Sequence, residues 1–512
     1  ALRARLLEFA RLYQYGDVNG LMFAMRAGLV RNLGGICNPE LHQKSHVGTK
    51  RDVEDYVNVV VFLLKRIAVF SPSLKALQSK QHKHALHHEK LTFFNETRHA
   101  YGRTALMLSG GASMGLLHLG VIKALLENGL LPRVICGTSA GAIIASLVCT
   151  LTNQELFEMY SDPNLSILYK IATLDAFDHV SSMKRIQRFV RQGVICNVEL
   201  LKNSIRENLG DVTFEEAYLK TKRILNISVS PQHSGDPPLL LNYLSAPHVL
   251  IWSAATASCA IPVVFSAVQL VAKTSDGSIV PYHPEGLRFV DGSFKSDIPL
   301  TRIAELFNVN HFVVSQVNPH VAPFHKSRWI ASRMMKFIIS EFYFRYCQLI
   351  QLNIMPSILK RLFPIFVQPY SGDVTIAPEI QFRDWLRLFS PADMNELQDA
   401  IKRGEQMTFP KLDMIRNHCL IELTLQKCLD RLIRKQNSTS EQKSRFIRRV
   451  PSWLWNDYGS LKGGSNSEKG VRKYNENEGK LGMKKHNVIL NEVTDDSDIY
   501  ETEWSDEDLR TC

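Results

Sequence analysis

A chain of 512 residues has material for one large core and an accessory unit or tail. Its composition, 45% hydrophobic and 22% charged, is that of a folded protein and excludes a fibrous or wholly disordered chain. Nine cysteines without a CxxC pair exclude a zinc knuckle and a dense disulfide framework, and read as reduced thiols. The net charge of +11 points to an acidic or lipid-covered partner surface.

The first residues, "ALRARLLEFARLYQ", carry two arginines and lack the long apolar run and cleavage site of a secretory signal. A start without Met reads as a processed or partial N-terminus. Residues 1–100 are predicted to form a helical domain, with "VEDYVNVVVFLLKRIAVF" and "LQSKQHKHALHHEKL" separated by "SPS" at 71–73. His84, His87 and His88 share one helix face, but the spacing brings no carboxylate or cysteine partner. They read as a solvated face, and no metal site is expected. No uninterrupted apolar stretch reaches the roughly 18–20 residues that a spanning helix needs. The nearest, "VNVVVFLLKRIAVF", is broken by Lys65 and Arg66.

From residue 104 the pattern becomes α/β. "TALMLS" reads as a buried strand, followed by a glycine turn and a helix over 114–128. "PRVICGT" reads as a second strand and "AGAIIASLVC" as a second helix, with further strands at 223–230, 239–246 and 311–317. Strands alternating with helices predict a mainly parallel sheet with helices on both faces. The predicted domains are 1–100, a catalytic domain over 101–325, a helical basic and aromatic region over 326–435, and a disordered tail over 436–512. Within 326–361 seven lysines and arginines stand against one acid, Glu341, interleaved with Trp329, Phe337, Phe342, Tyr343, Phe344 and Tyr346. That mixture suits a lipid headgroup layer or the outer face of a helical subdomain. No nucleic-acid motif accompanies it.

The glycine turn "SGGASMG" is suited to an anion, and three are conceivable. A phosphate-binding Walker loop needs Lys and Ser/Thr after its second glycine, where Leu116 and Leu117 stand. A dinucleotide fingerprint needs glycine at Ala112 and an acid after the second strand, which here ends in "VICGTSAG". The third anion is a transient alkoxide, and the next strand supports it. Gly137-Thr138-Ser139-Ala140-Gly141 is a G-x-S-x-G elbow, a tight strand-to-helix turn that lifts a serine hydroxyl above the sheet edge. The amides of Gly110, Gly111 and Ala112 are then candidate oxyanion-hole donors. Ser139 also needs a base. The Ser…Asp…His order would use His311 or His320, whereas a Ser–Asp dyad would use Asp291 in "LRFVDGSFKSDIPL", with Gly292 and Ser293 freeing the turn.

The set "SGGASMG", "GTSAG" and "DGS", in this order, resembles the patatin-like phospholipases, and most closely their intracellular triacylglycerol lipase branch of plants and fungi. "GLVRNLGGICNPELHQKSHVGTK" looks like the helical N-terminal domain of that branch. "HVLIWSAATASCAIPVVF" and "SGDVTIAP" are similar to its core segments, so that the resemblance covers roughly residues 1–435. It implies a three-layer α/β fold, Ser139 as nucleophile, Asp291 as general base and 110–112 as the oxyanion loop. His311 and His320 then become structural. Met114 occupies the loop position where patatins proper carry arginine, which marks the lipase branch. The H-x-x-x-x-D acyltransferase motif of some fungal relatives is absent. The implied activity is hydrolysis of triacylglycerol without metal or organic cofactor, at a lipid droplet or endoplasmic reticulum surface, by an intracellular protein that is not secreted; the alternatives are a phospholipase or lysophospholipase with the same dyad, and a non-catalytic lipid-droplet scaffold.

Overall fold

The computed structural model describes residues 2–42, 48–70, 80–173, 195–232, 237–262, 264–283, 286–319, 370–378 and 392–439, with Arg191 and scattered positions between 334 and 388. Strands that are covered on both faces show apolar runs rather than alternation, and the strands here follow that rule. β1 (Arg103–Leu108) sends Leu106 and Leu108 into one core, and Ala105 and Met107 into another on the opposite face. β2 (Val134–Gly137) divides in the same way, Ile135 against Val134 and Cys136.

β3 (Ile224–Pro231), β9 (Val309–Ser315) and β10 (Val374–Ile376) join them in the parallel order β10-β9-β1-β2-β3. Three antiparallel strands complete this sheet: β4 (Leu239–Leu241) and β8 (Arg288–Asp291) on β3, and β5 (Val268–Gln269) on β8. β6 (Val271–Lys273) and β7 (Ile279–Pro281) form a separate ribbon. The predicted parallel sheet is thus present, with an antiparallel edge. The run 239–246 is strand for three residues only. There the Asn242 side chain accepts the amides of Leu244 and Ser245 and turns the chain back.

The larger core is roofed by α5 (Leu117–Glu127), α6 (Ala140–Thr150) and α11 (Ile251–Ser258), with α13 (Leu300–Phe307) on the other face. The helix expected over 114–128 begins instead as a 3-10 turn, Ala112–Leu116, that leads into α5. N-terminal helices α1 (Leu2–Gln14), α2 (Val18–Gly28), α3 (Arg51–Val69) and α4 (Lys80–Tyr101) build a second core. In α3 that core takes Val53, Tyr56, Val57, Val60, Leu64 and Ile67, the three- and four-residue spacing of one helical stripe.

The long α14 (Met394–Thr439) belongs to both cores. Its Leu397, Ile401, Met414 and Ile415 pack on the sheet side, while Ile421, Leu425, Cys428 and Leu429 pack with the N-terminal helices. Among the described residues no single helix is long and apolar enough to cross a membrane, and no group of three His, Cys, Asp or Glu is placed to hold a metal. Most of 326–370 and all of 440–512 lie outside the described residues.

Candidate active site

The register of the sheet brings the three motifs to one edge. Leu108 pairs with Gly137, so the loops that follow β1 and β2 rise side by side. Gly137 pairs in turn with Ile227. On the other edge of β3, Asp291 of the antiparallel β8 is paired with Val229, two residues beyond Ile227.

At Ser139 the backbone has φ 55° and ψ −125°, a conformation that an L-residue adopts only when its surroundings impose it. The turn is closed by contacts that leave no room for side chains beside it. A Cβ on Gly137 would lie 2.5 Å from the carbonyl carbon of Gly141, and one on Gly141 would lie 2.7 Å from that of Leu108. Four hydrogen bonds hold it. The Thr138 amide donates to Leu108 O at 3.2 Å and its hydroxyl donates to Asp297 O at 2.7 Å. The Ser139 amide donates to Ser258 Oγ at 2.9 Å, and that hydroxyl donates to Ser228 O at 2.8 Å. The Ser139 residue is buried, with 6% of its surface exposed, and stands at the N-cap position of α6 without a capping hydrogen bond from its side chain.

Asp291 is fully buried. Its amide donates to Ala260 O at 3.0 Å, and its Oδ1 accepts the Ser293 amide at 2.8 Å. Oδ2 has no hydrogen-bond partner of regular geometry. Burial pushes the Asp291 carboxyl up to about 6, against the pull of the Ser293 amide, the Ser293 hydroxyl and the Ser139 hydroxyl. The Ser139 hydroxyl is therefore close enough to stabilise the ionised carboxylate. Cys259 sits beside both, its thiol driven well above the usual range by burial and by the Asp291 charge. Gly292 lies flat against β3, where a Cβ would meet the Ser228 carbonyl.

The glycine loop differs from expectation at its first residue. The Gly110 amide is not open toward the serine, because it donates to Asp297 Oδ1 at 2.9 Å. Gly111 presses on Val317, leaving 2.7 Å to Val317 Cγ2 for any added Cβ, and Ala112 follows with φ 48°. The loop is braced from beneath by the fully buried His118, whose Nε2 lies 3.0 Å from Ser109 O and whose Nδ1 lies 2.7 Å from Ser315 Oγ. Burial lowers the His118 imidazole to about 4 despite the Ser109 carbonyl, so it is neutral at pH 7. Donation from Nε2 to the Ser109 carbonyl then leaves Nδ1 to accept from the serine.

Asp297 was not anticipated as a site residue. It is buried, and burial lifts its carboxyl to about 7 against the Gly110 and Asn318 hydrogen bonds, with the Asp291 charge adding to the rise. Asn318 Nδ2 donates to Oδ2 at 2.6 Å, and the Asp297 amide donates to Gln368 Oε1 at 2.8 Å. Its sequence signal is an acid inside the apolar context "SDIPL", six residues after Asp291. Ser258, Asn318 and His118 carry no comparable signal, since each is defined only by what it touches.

His311 lies away from this edge, near the start of β9. It contacts His418 Nδ1 through Nε2 at 2.9 Å and Thr104 Oγ1 through Nδ1 at 3.4 Å. His320 lies outside the described residues, as does the side chain of His84.

The chain that carries this arrangement is similar to known proteins. Residues 106–303 match the patatin-like phospholipase family, and residues 1–99 match a domain of unknown function, DUF3336. Triacylglycerol lipase ptl3 of Schizosaccharomyces pombe is 31% identical over 85% of this chain and 90% of its own length. Triacylglycerol lipase SDP1L of Arabidopsis thaliana is 38% identical over 86% of this chain and 55% of its own length. For triacylglycerol lipase 5 of Saccharomyces cerevisiae the values are 36%, 81% and 57%. The chain belongs to the patatin-like phospholipase family. Within it, it falls in the triacylglycerol lipase branch, and it spans about half the length of the last two relatives.

Proposed function

We propose that this chain is a serine hydrolase that cleaves fatty acyl esters of triacylglycerol at a lipid surface. The observation that carries this reading is the strained Ser139, whose hydroxyl lies within reach of the buried Asp291. With its carboxyl at about 6, Asp291 is mostly ionised at pH 7 yet more basic than an ordinary carboxylate. It takes the proton of Ser139 as Oγ attacks the ester carbonyl carbon. The amides of Gly111 and Ala112, with the start of the 3-10 turn and α5, stabilise the oxyanion. The C–O bond of the leaving alcohol breaks, and diacylglycerol departs with the proton from Asp291. Water then attacks the acyl-serine by the same steps and releases the fatty acid. This cycle uses only protein groups.

Lipid-surface contact is supported by the apolar side chains of Met334, Phe337, Phe342, Phe344 and Leu352, which are exposed by 57–67% in a region rich in lysine and arginine. Association with lipid droplets or the endoplasmic reticulum membrane of an intracellular protein follows from that reading. A phospholipase using the same dyad is the alternative, decided by the substrate pocket.

The test is hydrolysis of emulsified triacylglycerol and of phosphatidylcholine by the purified chain. Ser139→Ala and Asp291→Asn are each expected to lower kcat at least about 1,000-fold on triacylglycerol. Wild-type activity on phosphatidylcholine alone would move the assignment to phospholipase, and full activity in either variant would remove the dyad.

A further inference from the structure

We infer that Asp297 is a positioning residue for acyl transfer, which clamps the Gly110 amide so that the next two amides of the loop face the oxyanion. The inference rests on the reading of Ser139 and Asp291 given above. One residue ties together every segment that builds the site. Its Oδ1 holds the loop after β1 through Gly110, and its Oδ2 holds the segment after β9 through Asn318. Its main-chain carbonyl holds the elbow through the Thr138 hydroxyl, and its amide is held by Gln368. Gly110 itself packs 3.4 Å from Ser139 Cβ, measured from the place where a Cβ would stand, so movement of this loop is movement against the serine.

The chemistry of the clamp explains why the residue is an acid. Two N–H donors converge on it, one from Gly110 and one from Asn318, and a carboxylate accepts on both oxygens. Asparagine has the same shape, but one of its two positions is a donor, so the Asn318 amide would have to turn over to meet it and would give up its contact with Gln316 Oε1. Keeping a buried carboxylate for this purpose is costly unless both oxygens are bonded, as they are here.

Protonation has the same effect as amidation, because one acceptor becomes a donor. The titratable groups that face Asp297 among the described residues are Asp291 on β8, Cys136 on β2 and Tyr370 ahead of β10. Asp291 raises the Asp297 carboxyl, while burial pushes up both the Cys136 thiol and the Tyr370 phenol, which therefore stay neutral at pH 7. The acid limb of kcat then contains two ionisations, the clamp and the base, rather than one.

The experiment measures hydrolysis of the soluble ester p-nitrophenyl butyrate from pH 5 to 9 by the full chain, which separates chemistry from surface binding. Wild-type kcat should fall from pH 8 toward pH 5 through both ionisations, the clamp and the base. Asp297→Asn should lower kcat about tenfold at pH 8 to 9 with KM within twofold, and the gap from wild type should close toward pH 5, where the wild-type clamp is itself protonated. Asp297→Ala should lower kcat about 100-fold, as for loss of an oxyanion donor. The exchange Asp297→Asn with Asn318→Asp restores matched donors and acceptors and should recover at least half of the loss seen in Asp297→Asn. It keeps the test decisive where Asp297→Ala fails to fold. A tenfold gap that persists unchanged to pH 5, or no recovery in the exchange, would overturn the clamp. An inactive wild type, or activity surviving in Ser139→Ala, would instead overturn the underlying dyad.

Discussion

Ser139 N–H, Ser258 Oγ and Ser228 O form a chain of hydrogen bonds that reaches from the elbow across to β3. The strain at Ser139, of order 1–3 kcal/mol for such a backbone, is sustained by that chain and by the Thr138 contacts to β1 and Asp297. Removing the Ser258 hydroxyl takes the acceptor from the buried Ser139 amide and a donor from the Ser228 carbonyl. Ser258→Ala is therefore expected to cost about 2 kcal/mol in urea unfolding and to lower kcat about tenfold with KM little changed. A variant with wild-type kcat would show that the elbow holds its geometry without this support. The elbow itself was legible in the sequence, because the glycines at 137 and 141 are sterically required and their spacing is fixed. Ser258 was not, since a serine ending an apolar helix has no local mark of its partner 119 residues away.

At the scale of elements, α14 is the member that joins the helical N-terminal region to the sheet. Glu422 on this helix accepts from the Thr104 amide at the start of β1 at 2.9 Å, from its hydroxyl, and from Arg31 Nη2 at 2.8 Å. Arg31 also donates to Gly102 O at 3.1 Å and to His418 O at 2.9 Å. With the Arg31 and Glu422 side chains only 6% and 15% exposed, the pair is largely buried, and deleting one partner strands the other charge. Glu422→Ala is expected to destabilise the chain by about 3–5 kcal/mol, read as a lower urea midpoint at unchanged denaturant slope. A loss under about 1 kcal/mol would mean that the pair behaves like a surface ion pair and does not join the two regions. The helices and the long strands were readable from their apolar spacing. β5, β6, β7 and β10 were not, because two- or three-residue strands are too short to show a period.

Across the whole molecule, pH acts through two sets of buried groups of opposite sign. His118 and His418 are lowered to about 4 and His311 well below its usual value, all with burial as the largest cause. The unfolded chain protonates these histidines first, so stability present above about 6.5 is lost as pH falls toward 4. His118 alone contributes on the order of 3 kcal/mol to that loss. Asp291 and Asp297, raised to about 6 and about 7, act the other way. The folded state protonates them first, so they add stability as pH falls from about 7 toward 4. Asp297→Asn removes one compensating group. Its stability should fall more steeply than that of wild type between pH 7 and 5, as read from urea midpoints at each pH. Parallel curves for the two proteins would show that Asp297 titrates alike in the folded and unfolded chains.

By itself the sequence determined the motifs: a glycine loop, a serine elbow and an Asp-Gly turn, each marked by residues that only a crowded backbone requires. It determined the alternation of apolar strands and helices, and thereby a sheet buried on both faces. The tertiary structure alone decided how these parts meet. Whether Asp291 or a histidine lies beside Ser139 depends on strand order and register, and β8, which carries Asp291, runs antiparallel along β3, whose other edge pairs with β2 and its elbow. The same folding turns the Gly110 amide away to Asp297, because a buried carboxylate must find donors wherever the packed chain supplies them. Local rules constrain a residue's own backbone; its partners across the sheet are settled only when the whole chain has packed.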